Sequence, residues 1–208
     1  EMLDQVLNYK SLGDWILAFL DASGIQKAHL VGVSFGAAIA LSLAHKSPDR
    51  VRAVVANAPP ILFKPYLSRS QSLLLKTCDN FPQAKKWFHG RMTRGNPLAW
   101  KLLLGVSPRF RDEFNVRVFN GIKSAKMEAL DQALHQIVST DLVATLPKIR
   151  APVLILVGVD DYMYHDSVDA SRLISTSVMR VVEGDHAISA SRPFEFAREV
   201  TRFLDIYE

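Results

Sequence analysis

Cysteine occurs once in the 208 residues, at Cys78, so no internal disulfide can form. That thiol has no glycine-framed turn beside it and is not read as a nucleophile; a single cysteine fits a reducing compartment, and a cytoplasmic location is expected. No apolar run approaches the roughly 20 residues that a membrane-spanning helix needs, so no transmembrane segment is expected. No signal peptide is visible: the chain passes from Glu1 straight into a helical pattern. Zinc-like, EF-hand and phosphate-loop spacings are missing, so neither a metal nor a cofactor is expected. There is no internal repeat and no low-complexity tract. The net charge is only +4, with the basic residues interspersed. A nucleic-acid partner would call for a basic patch or stripe, so none is expected.

What is present is ordinary for a globular protein: 49% hydrophobic and 22% charged residues, and length enough for one domain with a sizeable core. From Asp4 to Ser23, the residues Leu12, Trp15, Ile16, Phe19 and Leu20 follow the stripe of an amphipathic helix, with Gly24 as its stop. Ala28 to Val33 is short and apolar and predicts a buried strand. Phe35 to Ala44 is apolar nearly all round and predicts a buried helix, broken at Ser47-Pro48-Asp49. Arg52 to Ala58 predicts a second buried strand, Val153 to Val157 a third and Val178 to Val182 a fourth. A last amphipathic helix carries Phe196, Val200 and Phe203, with Pro193 in its first turn. Apolar strands alternating with helices imply an α/β fold, a mostly parallel sheet with helices on both faces.

Between the second and third strands the texture changes. Residues 61–146 show no clear strand and several helical stretches, one of them marked by Ala129, Leu130, Ala133, Leu134, Ile137 and Val138. Pro82, Gly95-Asn96-Pro97 and Ser107-Pro108 divide the others. The stretch is far longer than a crossover needs and is expected to be an inserted helical lid, with residues 1–60 and 147–208 as the core. It holds 13 Lys and Arg against 6 Asp and Glu, a balance of +7, while the remainder carries −3. Lys64, Lys85, Lys86, Arg109 and Arg111 are expected to solvate helix faces, the alternative being attraction of an anionic substrate. Leu73, Trp87, Phe88, Trp100 and Leu103 are expected to supply the wall of a mainly hydrophobic pocket.

Gly32-Val33-Ser34-Phe35-Gly36 forms a G-x-S-x-G string. It falls where a predicted strand ends and a predicted helix begins, the context of a nucleophile elbow. There the chain must reverse sharply and hold the serine strained, with its hydroxyl exposed. Glycines two residues to either side spare that turn the side chains that would clash. The helix N-terminus that follows favours developing negative charge. The bland alternative is a strand–helix turn with an idle serine.

At this point the chain resembles the α/β-hydrolase superfamily, as a serine-nucleophile member with a lid, and the resemblance runs along nearly all of it. The family places its acid in a loop after a later strand, often as G-x-x-D; Gly158-Val159-Asp160-Asp161 matches, which implies Asp161, with Asp160 as its rival. The family histidine follows the last strand; Glu183-Gly184-Asp185-His186 matches. The resemblance thus implies a triad of Ser34, Asp161 and His186, in the family's order. His186 takes the Ser34 proton and returns it to the leaving group, Asp161 orients the imidazole, and the backbone N–H of Phe35 supplies half of the oxyanion hole. The family normally begins with further strands before the first helix, and one of their loops carries the second oxyanion donor. Nothing here matches them, so a fragment of a longer protein is expected. His29, His45, His89 and His135 are read as structural or solvated, and His165 as a residue near the acid loop that could line the pocket.

The function implied is that of a serine hydrolase cleaving an ester, thioester or related acyl-type bond of a small, largely apolar substrate. The same triad also serves C–C bond hydrolysis, acyl transfer and cofactor-free haloperoxidase chemistry in this family. A non-catalytic ligand-binding protein on the same fold is the alternative of another class.

Overall fold

The computed structural model describes residues 9–62, 73, 77, 80–94, 124, 132, 136 and 139–208. The chain divides into two compact units: Glu1–Phe63 with Gln132–Glu208, and Lys64–Asp131. In the first unit a four-stranded parallel sheet runs β1 (Ala28–Val33), β2 (Val51–Asn57), β3 (Val153–Gly158), β4 (Ser177–Val182), the spatial order being that of the sequence. Because all four strands are parallel, their carboxyl ends share one edge of the sheet, where sheets of this kind build their sites. Among the described residues its helices include α1 (Tyr9–Ala22), α2 (Phe35–Lys46), α4 (Tyr164–Leu173), α5 (Ile188–Ser191) and α6 (Pro193–Leu204). The described part of the second unit contains α3 (Pro82–Thr93), which opens on the proline expected to divide helical stretches.

Side chains alternate across the sheet, and each face has its own core. On one face Val54, Ala56, Val153 and Ile155 pack with Ala37, Leu41 and Ala44 of α2 and Ala170 of α4. On the other, Val55, Leu154 and Leu156 pack with Ile188 and with Phe203 of α6. The apolar run in α2 is explained by its burial, since seven of its residues are buried. Among the described helices, α1 departs from its expected stripe. Leu20 is buried and Ile16 and Leu17 pack on the core, but Phe19 is 66% exposed. The buried line runs instead through Gly13, which is buried close to Leu43 of α2. Gly24 ends α1 with φ 68°, the left-handed conformation that glycine tolerates best.

Two strands expected to be buried are not fully so. In β1, Val31 and Val33 are exposed, and in β4, Val178, Arg180 and Val181 are. Both are the outer strands among the described residues, and outer strands have a neighbour on one side only. Continuous apolar composition therefore did not distinguish outer from central strands.

Residues at both ends of the long connection belong to the first unit. Ile61, Leu142 and Leu146 are buried in its core. Leu62 and Asp141 form an antiparallel bridge, and the Leu142 N–H donates to the Ile61 carbonyl at 2.9 Å. The backbone thus returns to the sheet beside the point where it leaves. The apolar stripe from Ala129 to Val138 lies outside the described residues, as do Cys78, Trp100, Leu103, Lys64, Arg109 and Arg111; Leu73 and Trp87 are exposed, and the Arg91 guanidinium lies 4.4 Å from the Trp87 ring centre. No helix among the described residues is long and apolar enough to cross a membrane.

Candidate active site

Ser34 sits between β1 and α2 with φ 52° and ψ −117°. A residue other than glycine in this region carries strain of about 1–3 kcal/mol, held only where its surroundings over-determine it. Here the Ser34 N–H donates to the Asn57 carbonyl at 2.8 Å, and the Ser34 carbonyl accepts from Ala37 and Ala38 in the first turn of α2. A serine at a helix start ordinarily turns its hydroxyl onto a backbone N–H of the first turn. Ser34 makes no such capping bond. Phe35 opens the helix, so its backbone N–H lies in the first turn beside the serine.

The two elbow glycines have different standings. A Cβ at Gly32 would lie 2.3 Å from the Gly36 carbonyl oxygen and 2.6 Å from the Ala37 nitrogen, so any side chain there would push the helix start off the strand. A Cβ at Gly36 would meet nothing within 4 Å among the described residues. The clash that the sequence pattern suggests for both thus applies to Gly32 alone in the described structure.

Asp161 and His186 form the second part of the site. The His186 Nδ1 lies 2.9 Å from one carboxylate oxygen of Asp161 and 3.1 Å from the other. The Asp161 side chain is fully buried, whereas 24% of the His186 side chain is exposed. The first oxygen of Asp161 also accepts the Met163 N–H at 2.8 Å, so the buried carboxylate is satisfied from two directions. Asp160, the rival acid, is exposed, and its backbone N–H donates to the Gly184 carbonyl.

Both glycines of the acid and histidine motifs follow from the packing of these loops. A Cβ on Gly158 would come within 2.3 Å of the Gly184 carbonyl oxygen, so only glycine lets the acid loop press against the histidine loop. Gly184 itself has φ 127°, a conformation that other residues rarely adopt. The close approach sets the spacing at which a carboxylate three residues beyond Gly158 meets an imidazole two residues beyond Gly184.

Three neighbours carry no motif that would have announced them. The Tyr162 ring centre lies 4.4 Å from that of His186, with the rings tilted by 35°. Burial, and secondly the charge of Asp161, push the Tyr162 phenol well above its ordinary range, so it stays neutral. Asn57, fully buried at the end of β2, donates from its side-chain amide to the Leu156 carbonyl at 2.9 Å and receives Ser34 on its backbone. Ala58 follows it with φ 49°, the other described non-glycine residue at positive φ. Asp166, buried in α4, accepts the Ile61 and Leu62 N–H groups at 2.8 and 3.3 Å. No local pattern marks these residues; the tyrosine's place directly after the acid is the nearest to a signal. His165, read as a possible pocket residue, lies in α4 edge-on to Tyr164 at 6.1 Å.

Known proteins are similar to this chain in sequence and in fold. RutD of Caulobacter sp. (strain K31), named as a putative carbamate hydrolase, is 26% identical over 197 residues, which cover 93% of this chain and 71% of that protein. A bromoperoxidase from Bacillus anthracis superposes with a TM-score of 0.76 at 19% identity, covering 97% of this chain and 75% of that one. A thermophilic esterase from Thermogutta terrifontis gives 0.73 at 18% identity, covering 98% and 75%. The two structural likenesses speak for the fold alone. Residues 6–193 match the family described as alpha/beta hydrolase fold, and on that match the chain belongs to the α/β-hydrolase family and is a hydrolase at the level of that family.

Proposed function

We propose that the protein is a serine hydrolase that cleaves an acyl-type bond through Ser34, His186 and Asp161. The observation that carries this reading is the buried Asp161 bonded to His186 Nδ1 on the same sheet edge as a strained Ser34 whose hydroxyl does not cap its helix. Serine at its own pKa is a weak nucleophile and needs a base. With Nδ1–H donating to Asp161, the imidazole presents a basic Nε2. That nitrogen takes the Ser34 proton as Oγ bonds to the acyl carbon. The negative charge that develops on the carbonyl oxygen is met by the Phe35 N–H at the α2 N-terminus. As the tetrahedral intermediate collapses, His186 gives the proton to the departing alcohol, thiol or amine, leaving the acyl group on Ser34. Water then gives a proton to His186 as its oxygen bonds to the acyl carbon; as the Oγ–C bond breaks, His186 returns that proton to Oγ, which releases the acid and the free serine.

The substrate class is an ester, thioester or related acyl bond on a small, largely apolar molecule. Carbamates join the panel because of the name of the RutD relative; a carbamate carbonyl is open to the same attack. The apolar acyl site is expected in the long insertion, which we propose acts as a lid. In the full-length protein, Ser34→Ala should lower kcat on the best substrate of an ester, thioester and carbamate panel by several orders of magnitude, with the circular dichroism spectrum unchanged. A Ser34→Ala protein that keeps most of its activity rules the reading out.

A further inference from the structure

The contact between Tyr162 and His186 points to a role that the triad pattern leaves unassigned. We infer that Tyr162 is a positioning residue: its ring lies against the face of the His186 imidazole, holds the plane that Asp161 alone leaves free to turn, and stabilises the imidazolium formed during catalysis. The inference rests on the proposed triad and extends it.

The geometry supports each part. Asp161 bonds to Nδ1, and a bond at one ring atom leaves the imidazole free to rotate about the direction of that bond. A ring centre at 4.4 Å and a tilt of 35° put the aromatic surface against the imidazole, which blocks that rotation on one side. Tyr162 is itself held from both sides. Its predecessor Asp161 accepts the Met163 N–H on its side chain and the Tyr164 N–H on its backbone, so the turn that carries the tyrosine is pinned to the carboxylate that receives the histidine. One short loop therefore delivers both constraints, and a shift of Tyr162 relative to Asp161 would have to break that turn.

The electrostatics point the same way. The face of an aromatic ring is negative, and a cation within about 6 Å of its centre is attracted to it. When His186 takes the Ser34 proton it becomes such a cation. The ring face thus attracts the imidazolium more than the neutral imidazole. The phenol stays neutral because burial holds its proton, so the stabilisation comes from the ring face rather than from a phenolate.

The test is an NMR titration of His186 in the full-length protein, with the resonance assigned by its loss in His186→Gln. Tyr162→Phe keeps the ring face and should leave the titration midpoint where it is. Tyr162→Leu removes the ring and should lower the midpoint by about half a pH unit, the size expected of an exposed to partly buried cation–π contact. Trifluoro-phenylalanine placed at residue 162 preserves the ring's shape and drains its face, so it should give a shift of the same sign even if the leucine protein folds poorly. On an acyl ester, the acid limb of kcat/KM should move with the midpoint, and kcat should fall more than KM rises. A midpoint that is unchanged in both the leucine and the fluorinated proteins overturns the inference. The titration reads the tyrosine–histidine contact without catalysis. A protein inactive on every acyl substrate would therefore sink the proposed function, while the midpoints would still decide whether Tyr162 acts on His186.

Discussion

The choice between Asp160 and Asp161 turns on where two adjacent carboxylates point. Asp161 is fully buried against His186, while Asp160 faces solvent. Asp161→Asn places an amide where a carboxylate now receives Nδ1–H, which favours the wrong imidazole tautomer; on the proposed mechanism, and by comparison with known Ser-His-Asp triads, kcat should fall by about 10⁴. Asp160→Asn should lie within a few-fold of wild type. Steady-state kinetics on one ester ranks the two, and the reverse order would move the acid to Asp160. At this scale much of the candidate site is legible without coordinates. Ser34, Asp161 and His186 each stand at a fixed offset from a glycine, and two of those offsets have a local steric cause in Gly32 and Gly158. Tyr162, Asn57 and Asp166 are not legible, because what marks them is a partner distant in the chain or a ring orientation, and neither leaves a periodic or spaced trace.

The elements themselves follow closely from hydrophobic pattern. The strands at Ala28–Val33, Val51–Asn57, Val153–Gly158 and Ser177–Val182 and the helix at Phe35–Lys46 lie where apolar runs and turn residues put them. Burial within them is harder to read. Phe19 and Val181 carry core-like side chains in exposed places, because exposure depends on which elements lie alongside and not on composition. The joining of elements across long separations is also invisible, and Asp166 of α4 is the clearest case. Its carboxyl, 1% exposed, is pushed above the ordinary carboxylate range by burial, against the pull of the Ile61 and Leu62 N–H groups. An acid whose pKa is higher in the folded chain keeps its proton there at a pH where the unfolded chain has lost it. Stability therefore falls as pH rises from the ordinary value of 3.8 toward the raised one. Asp166→Asn retains an acceptor for Ile61 and has no proton to lose. Its stability relative to wild type, measured by urea unfolding, should improve as pH rises above about 4. A difference independent of pH would mean that Asp166 has an ordinary pKa in the folded chain.

For the molecule as a whole, the described sheet has two exposed outer strands. Val31 and Val33 of β1 are 48% and 37% exposed, and no described strand pairs with the outer side of β1. An apolar strand with unpaired backbone groups invites pairing with another chain. The 208-residue chain should therefore self-associate as concentration rises, and Val31→Lys with Val33→Lys should reduce that association in sedimentation velocity. A monomer at all concentrations would show that the β1 edge is covered. The central claim, that Ser34 is an activated nucleophile, is tested most directly by treating the full-length protein with a fluorophosphonate and locating the adduct by peptide mass spectrometry. The account predicts one adduct per chain, on the peptide carrying Ser34, and none on Ser34→Ala. An adduct on another serine, or equal labelling of the Ser34→Ala protein, would contradict it.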